Sequence, residues 1–502
     1  MKTLIYIFTI LFLFSTKSFA QDGILDNTFG TNGIVKTVSL QEAFEMVIQP
    51  DDKIIVVGSV NNTSTDMAIA RYNANGSLDN SFGTNGIVTV DFNNGNDDAS
   101  AVVLQQDGKI VVVGRAQQSS ANSNYDIAAI RLLPNGSLDN TFATNGKFQL
   151  DVDGYSYDYA LDVALQNDGK IVIVAMAGTN MFNKNAVIRL NTNGTLDNSF
   201  DGDGILKAFS FPGGIMSSIY SVAIQQDGKI LIGGSNTNNF AVARLNSNGS
   251  IDNTYATNGG ITIAEMATES KIYLQDDGKL LCTYSNISST TVVVVRLNTN
   301  GSLDAGFGNN GKVVTQIGTS STYNYGRDLV VQPDGKIIVC GSTNLSSSNS
   351  DYLLVRYLPN GTIDNTFGAT GNGIVTTSVG TTDDDRGKSV RLQSNGKIVV
   401  AGSTCTGSCD FVLLRYNNTN TLSINQLTGN NVSFSVYPNP SNGKFTIVSE
   451  NNSIFYLTDI TGKLIKTITV ENGTKVIQET LNPGVYFLIN SKTGKNEKIM
   501  IL

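Results

Sequence analysis

Histidine is absent from all 502 residues, and tryptophan with it. Without histidine there are no Ser–His–Asp triads, no imidazole general bases and no His-ligated zinc. Charged residues make up only 15% of the chain, and a net charge of −8 offers no basic face for neutralising phosphates, so no nucleic-acid partner is expected. Eight prolines and few stretches of helical periodicity, set against 50 glycines and abundant Asn, Ser and Thr, describe short strands joined by turns. At 40% hydrophobic the chain reads as globular and all-β rather than disordered.

Long apolar runs are missing everywhere except the start. MKTLIYIFTILFLFSTKSFA places Lys2 before an apolar run from Leu4 to Phe14 and ends on Ser18, Phe19 and Ala20. This is the layout of a secretory signal peptide over residues 1–20, with cleavage after Ala20. The alternative, a single-pass anchor, needs about 20 apolar residues, so no transmembrane segment is expected in the mature chain. An exported chain permits disulfides. Cys405 and Cys409 share the loop TCTGSC and can close a small ring. Cys282 and Cys340 stand three and four positions after the turn lysines Lys279 and Lys336, offsets that face opposite sides of a strand. Both are expected as buried small hydrophobes.

What the sequence does contain, seven times over, is a hairpin such as AVVLQQDGKIVVVG, Ala101 to Gly114, in which two β-branched runs flank a tight polar turn. The turn lysines are Lys53, Lys109, Lys170, Lys229, Lys279, Lys336 and Lys397, spaced 56, 61, 59, 50, 57 and 61 residues apart. Each hairpin is followed by a polar loop and a third apolar run ending in arginine, such as MAIARY to Tyr72. Next come a signature such as NGSLDNSFG, Asn75 to Gly83, and a fourth short run such as GIVTV, Gly86 to Val90. Four strands per unit and seven units predict a seven-bladed β-propeller over residues 21–420. The ends complement one another: DGILDNTFGTNGIV, Asp22 to Val35, has the close of a unit without its hairpin, and the seventh unit stops after FVLLRYNNTNTLS without its fourth strand. The N-terminal segment is therefore expected to supply the outer strand of the last blade, leaving no open sheet edge at the seam.

These elements, LDxxFG, GIV, DGKI and an arginine-ended strand, recur together and in order over about 400 residues. In this the chain resembles the delta-60 repeat family. The resemblance implies the propeller fold and no chemistry, since the family is largely without an assigned activity.

Seven arginines (Arg71, Arg131, Arg189, Arg244, Arg296, Arg356, Arg415) accompany seven signature aspartates (Asp26, Asp79, Asp139, Asp197, Asp252, Asp304, Asp364). They read as a structural Arg/Asp repeat, pairing with each other or bonding their own turns, rather than as seven ligand sites. Pairing implies that Arg415 meets Asp26 across the seam. The NGS and NGT sequences before each signature read as turns rather than glycosylation sites. DGDG at Asp201 and DVDG at Asp151 faintly resemble calcium loops but lack the spaced oxygen ligands and closing Glu of an EF-hand. No cofactor or metal is expected, with calcium as a minor alternative.

Strand direction puts the DGK turns and LDxxF connections at one end of the blades and the variable loops at the other. Binding residues concentrate on variable loops held by a rigid scaffold. The candidate ligand-binding face carries Asp97 and Asp98; Asp153, Tyr155, Tyr157 and Asp158; Tyr323, Tyr325 and Arg327; and Asp383, Asp384 and Arg386. Aromatics beside carboxylates suit a sugar or a peptide, hence a glycan or surface-protein partner. The expected role is a binding or scaffold module without catalytic residues. The alternative is a carbohydrate-active enzyme using carboxylates of this face, which needs two of them a few ångströms apart. Sialidase-type propeller hydrolases carry Trp-containing Asp boxes, which a chain without Trp cannot have.

Past a linker at 421–433 the period breaks, and alternating runs separated by Gly and Pro turns suggest a small β-sandwich over 434–502. YPNP (Tyr437, Pro438, Asn439, Pro440), a D-x-x-GK turn ending at Gly462 and Lys463, PGVYF with Gly484 and Tyr486, and the basic, apolar end Lys495 to Leu502 are its motifs. They resemble the type A C-terminal sorting domain of the type IX secretion system of Bacteroidetes. That resemblance implies passage across the outer membrane by the type IX machinery, removal of the tail, and release or surface attachment.

Overall fold

The computed structural model describes residues 21–418 and 434–501, apart from 121–123, 153, 155–156, 178–184, 208–209, 212–213, 217, 237–238, 268, 286–289, 320–321, 345–348, 381–382, 440, 450–451, 460–463, 472, 480 and 491–495. The expected signal peptide and linker lie outside the described residues, as do Asp153, Tyr155, Pro440, Gly462 and Lys463.

Each DGK turn folds for local reasons. In the second copy Gly108 takes φ +81°, Gln105 N–H bonds the Lys109 carbonyl at 2.8 Å, and the Asp107 carboxylate accepts Lys109 N–H at 3.2 Å. The β-branched runs on either side then pair in register, Val102 with Val112 and Leu104 with Ile110. Two further strands complete a four-stranded antiparallel sheet, and seven such sheets follow one another. The inner strands are Ala43–Ile48, Asp97–Leu104, Tyr159–Leu165, Ser218–Ile224, Glu269–Leu274, Asn324–Val331 and Asp384–Leu392. Each packs on the next and the seventh packs on the first, so the ring is closed.

The second and third strands are buried on both faces. Ile54–Asn61 exposes only its last residue. A blade is covered on each side by a neighbour, which is why these strands read as continuous Val/Ile runs. The core is therefore between blades: Ile55, Val57 and Ile69 of the first pack with Val112, Ala128 and Ile130 of the second. At roughly 1.5–3 kcal/mol per buried aliphatic side chain, these seven interfaces supply most of the stabilisation.

The seventh blade joins chain segments from opposite ends. Ile34–Thr37 pairs antiparallel with Ser408–Tyr416, Ile34 opposite Leu414. Asp26 Oδ2 accepts Arg415 Nε at 2.7 Å. Cys405 and Cys409 are disulfide-bonded, while Cys282 and Cys340 are free and fully buried.

A second unit begins beyond residue 420. Its sheets are three-stranded (Phe434–Tyr437, Lys444–Ser449, Gly473–Gln478) and four-stranded (Leu464–Val470, Ser453–Asp459, Gly484–Asn490, Asn496–Ile501). Phe445, Ile447, Phe455, Leu457, Leu488 and Ile499 fill the core between them. In the sorting motif, Asn439 accepts Met500 N–H at 2.8 Å and donates to the Lys498 carbonyl, which ties the YPNP turn to the last strand. Tyr437 is exposed, Pro438 follows it in the turn, and Tyr486 on the strand opened by Gly484 donates to the Asn482 carbonyl at 3.0 Å.

Candidate functional site

The two ends of the blades do different work. At the DGK end, all seven signature aspartates bond the arginine of their own blade's third strand, Nε to Oδ2, at 2.7–2.9 Å. The turn lysine reaches the same oxygen, as Lys53 does Asp79 at 3.1 Å. The other carboxylate oxygen holds the signature turn, as where Asp79 Oδ1 accepts the N–H and hydroxyl of Ser81. Each guanidinium lies over the signature aromatic, 4.4 Å from the Phe82 centroid in the first blade. It also donates to a carbonyl of the next blade, Arg71 to Pro134 at 2.5 Å. Arg356 is the exception, although Asn418 stands three residues after Arg415 as Pro134 does after Arg131. It bonds Asp22 Oδ2 and Asn418 Oδ1 instead, both at 2.8 Å. The repeat is thus an inter-blade staple in which both oxygens of each signature carboxylate are engaged within the protein. The NG sequences before the signatures form turns, with Asn75 Oδ1 accepting Ser77 N–H.

The variable end opens into a central funnel of about 520 Å³. Six of the seven inner strands carry a register shift one to four pairs into the pairing, and the skipped residues are Phe44, Ser100, Leu161, Tyr220, Arg327 and Lys388. All six line the funnel. A bulge inserts one unpaired residue and re-aims its side chain, here towards the axis. The bulge demands a small residue opposite: a Cβ on Gly58 would meet the Glu42 carbonyl oxygen at 1.7 Å. The fifth blade has Tyr284 at the corresponding place and pairs without a shift, presenting Ser270.

Below this layer the axis is closed by charge. Lys271 Nζ bonds Glu45 Oε1 at 2.8 Å and Asp162 Oδ1 at 3.1 Å, joining the fifth blade to the first and third. Arg391 of the seventh blade bonds Glu45 at 3.0 Å and Asp328 at 2.5 Å. Each carboxylate also accepts a backbone N–H from the following blade: Glu45 from Val102, Asp162 from Val222, Asp328 from Val390. Burial pushes the Glu45 pKa up despite Lys271, whereas at Asp328 the same penalty is outweighed by Arg391 and Lys271 and the pKa falls. Burial would depress Lys271, but Asp162 and Glu45 hold it well above its ordinary value. Removing one partner from a buried ionic cluster leaves charge uncompensated. Lys271→Ala is expected to cost about 3 kcal/mol in denaturant unfolding, with Lys271→Arg recovering part of the loss; an alanine variant as stable as the parent would refute the role of the cluster.

The candidate face residues fall into three groups. Tyr323, Tyr325, Arg327, Asp384 and Arg386 converge: with Ser342, Asn344 and Ser350 they line a recess of about 340 Å³ between the sixth and seventh blades, which shares Arg327 with the funnel. Arg386 bonds Glu42 at 3.0 Å and Asp384 at 2.9 Å, and Arg327 Nη1 bonds Glu269 at 2.5 Å while lying 5.2 Å from the Tyr325 centroid. Asp383 sits beside them, bonded by Thr404.

Asp98 lines the funnel on the second blade, paired with Arg115, whose guanidinium covers Tyr125 at 4.5 Å; Tyr125 in turn stacks on the exposed Tyr157. Asp97 and Asp158 lie beneath the surface, fully buried, and hold the blade connections. Asp97 accepts Phe92 and Gln117 N–H, and Asp158 accepts Val152 N–H. Asp385, which adjacent-acid reasoning passed over, does the same for Val379. Burial pushes Asp97 up to about 7 and Asp385 up to about 6. The calcium-like stretches make turns: Asp203 accepts Ile205 N–H and Asp151 accepts Gly154 N–H. The bulge residues Phe44, Tyr220 and Lys388 and the clamp Lys271, Arg391 and Glu45 were not singled out from sequence. Their signal is a fixed count of eight or nine positions, or six for Arg391, before each turn lysine.

Comparison with known proteins agrees with this architecture. Residues 49–82, 105–142, 166–200, 225–255, 275–307, 332–367 and 393–421 match the family described as "Domain of unknown function (DUF5122) beta-propeller", one stretch per blade. Residues 435–502 match "Secretion system C-terminal sorting domain". No curated protein matches the chain. Among solved structures it is similar to Kuenenia stuttgartiensis hydrazine synthase, at 12% identity and TM-score 0.42 over 73% of this chain and 94% of that one. It is also similar to YCF48 from Cyanidioschyzon merolae, at 10% identity and TM-score 0.40 over 76% and 98%. PorZ of the Porphyromonas gingivalis type IX secretion system matches at 10% identity and TM-score 0.24 over 94% and 82%. At these scores the likenesses add nothing to the reading of the site. The chain is a seven-bladed propeller of DUF5122 repeats carrying a type IX secretion C-terminal sorting domain, which marks it for the cell exterior or the outer-membrane surface.

Proposed function

We propose that this secreted or surface propeller is a binding module that holds a glycan or surface-protein partner at its variable rim. The observation that carries the reading is the convergence of Tyr323, Tyr325, Arg327, Asp384 and Arg386, from two blades, on one recess opening beside the funnel. Aromatic walls with a few placed polar groups are what a sugar- or peptide-binding site requires, and the disulfide Cys405–Cys409 brings Cys409 Sγ to 3.8 Å from Glu42 at this rim. The rim carboxylates Asp98, Glu42, Glu269 and Asp384 are each engaged by an arginine. That favours recognition over acid–base turnover, which needs one carboxyl kept protonated.

A panel of surface polysaccharides and peptides, assayed for retention and for product release, tests the proposal. Retention without products, weakened at least tenfold by Tyr323→Ala or Arg386→Ala, is expected. Product release would favour the hydrolase, and retention indifferent to both variants would remove the recess from consideration.

A further inference from the structure

Among the propeller residues whose side chains are described, two aromatic rings are exposed, Tyr157 at 46% and Tyr323 at 52%. Both end a ladder of contacts that starts in the funnel. On one side Asp98 pairs with Arg115, whose guanidinium lies 4.5 Å from the Tyr125 centroid, and Tyr125 stacks on Tyr157 with centroids 6.4 Å apart. On the other Glu269 pairs with Arg327, whose guanidinium lies 5.2 Å from the Tyr325 centroid, and Tyr325 shares its recess with Tyr323. Asp98, Arg115, Glu269 and Arg327 all line the funnel, so both ladders open from one cavity. Backbone bonds fix the two ends: the Tyr125 carbonyl accepts Asp158 N–H at 2.9 Å beside Tyr157, and Asn344 Oδ1 accepts Tyr323 N–H at 2.5 Å. Tyr157 precedes the inner strand of the third blade and Tyr323 that of the sixth, three blades on, the widest separation a ring of seven offers.

We propose that a neutral, unbranched polysaccharide lies across the mouth of the funnel, with sugar rings on Tyr157 at one side and Tyr323 at the other, so that the propeller grips the interior of a polymer rather than its end. This rests on the binding reading above and names the ligand class, the way it lies and a second subsite at Tyr125 and Tyr157.

Charge decides the class. The funnel lining holds five carboxylates and four basic side chains, and the arginine of each ladder is already paired. Such pairs present donors and acceptors together without surplus charge, which suits hydroxyls, groups that both donate and accept. Tyrosine faces held in place by their neighbours lose little freedom on binding and offer flat apolar area to a sugar ring. The way the polymer lies follows from the axis. Beneath the mouth Lys271, Glu45 and Asp162 close it, so a polymer cannot thread the ring and passes instead over Phe44, Leu161 and Tyr220 of the funnel wall.

The test measures binding of the full chain to immobilised amylose, curdlan and linear mannan, with polygalacturonate as the charged control, and then competes the retained polymer with its own dimer and octamer. Retention on at least one neutral polymer is expected, with the octamer at least tenfold the better competitor. Tyr157→Ala is expected to weaken octamer binding tenfold or more, and Tyr157→Phe, which keeps the ring, to retain it. Dimer and octamer of equal strength, or a Tyr157→Ala variant that binds the octamer as the parent does, overturns the polymer lying across the mouth. The broader proposal still stands in that case if Tyr323→Ala weakens retention. Retention on polygalacturonate alone overturns the neutral class. No retention on any of the four polymers overturns the glycan assignment, and the broader proposal then survives only if a peptide is held in a manner that Tyr323→Ala weakens.

Discussion

Acidified from about pH 5 to about pH 2, the propeller is expected to unfold in one narrow transition. The cause is the sevenfold staple. Burial alone would raise its aspartates, but Ser/Thr hydroxyls, turn N–H groups, the turn lysines and the arginines more than offset it. All seven are held below the usual carboxylate range, Asp26 and Asp304 at about 2. A carboxylate whose folded pKa is depressed contributes its full stability above the unfolded value, near 4, and loses it as pH falls through the folded value. Seven such losses fall in the same pH range and act together, against a whole-domain stability of only about 5–15 kcal/mol. Asp97 and Asp385, raised by burial to about 7 and about 6, act in the opposite sense: their folded forms prefer the proton, so they withdraw stability as pH rises above 4. Stability is therefore expected to peak at about pH 4 to 5 and to collapse below it. Circular dichroism across a pH series checks this, and a propeller still folded at pH 2 would show that the staple is not a dominant contributor.

Removing Tyr437 to Leu502 is expected to leave the protein in the periplasm, an all-or-none change in location. The sorting domain is a separate unit with its own core, and the seven propeller sheets are closed by residues 34–416. The deletion should thus strip the export signal without unfolding the blades. Cell fractionation decides it: truncated protein in the medium or on the cell surface would mean that the tail is dispensable for export. Reduced amounts everywhere would instead indicate misfolding, and thermal unfolding of the purified truncated chain distinguishes that case.

The blades and the seam were readable because their determinants are local and repeated. Asp107, Gly108 and Lys109 make a turn whatever surrounds them, and the incomplete units at Asp22 and Tyr416 name each other as partners. The funnel was harder to read. Strand faces are inferred from a period of two, and the bulge at Phe44, Ser100, Leu161, Tyr220, Arg327 and Lys388 adds a residue that inverts the count for everything before it. Adjacent acids are ambiguous for the same reason: Asp97 turns inward to bond loop amides while Asp98 reaches the funnel, and nothing in DD distinguishes them. Likewise, Lys271 stands where other blades carry Glu45, Asp162 or Asp328, yet only the closed ring shows that these charges meet on one axis.

The seam also sets the order of events during folding. Asp26 and Arg415 stand 389 residues apart in the chain, so the first segment to emerge from the membrane must wait for the last repeat before it can pair. Contacts of such long sequence separation are the slow ones. Until they form, the third strand of the seventh blade is an exposed edge able to accept a strand from elsewhere. A chain halted part-way through translocation, before the seventh blade is made, would carry Ile34–Thr37 as a strand without its partner, so the arrival of the final blade is the point at which both halves of the seam are covered.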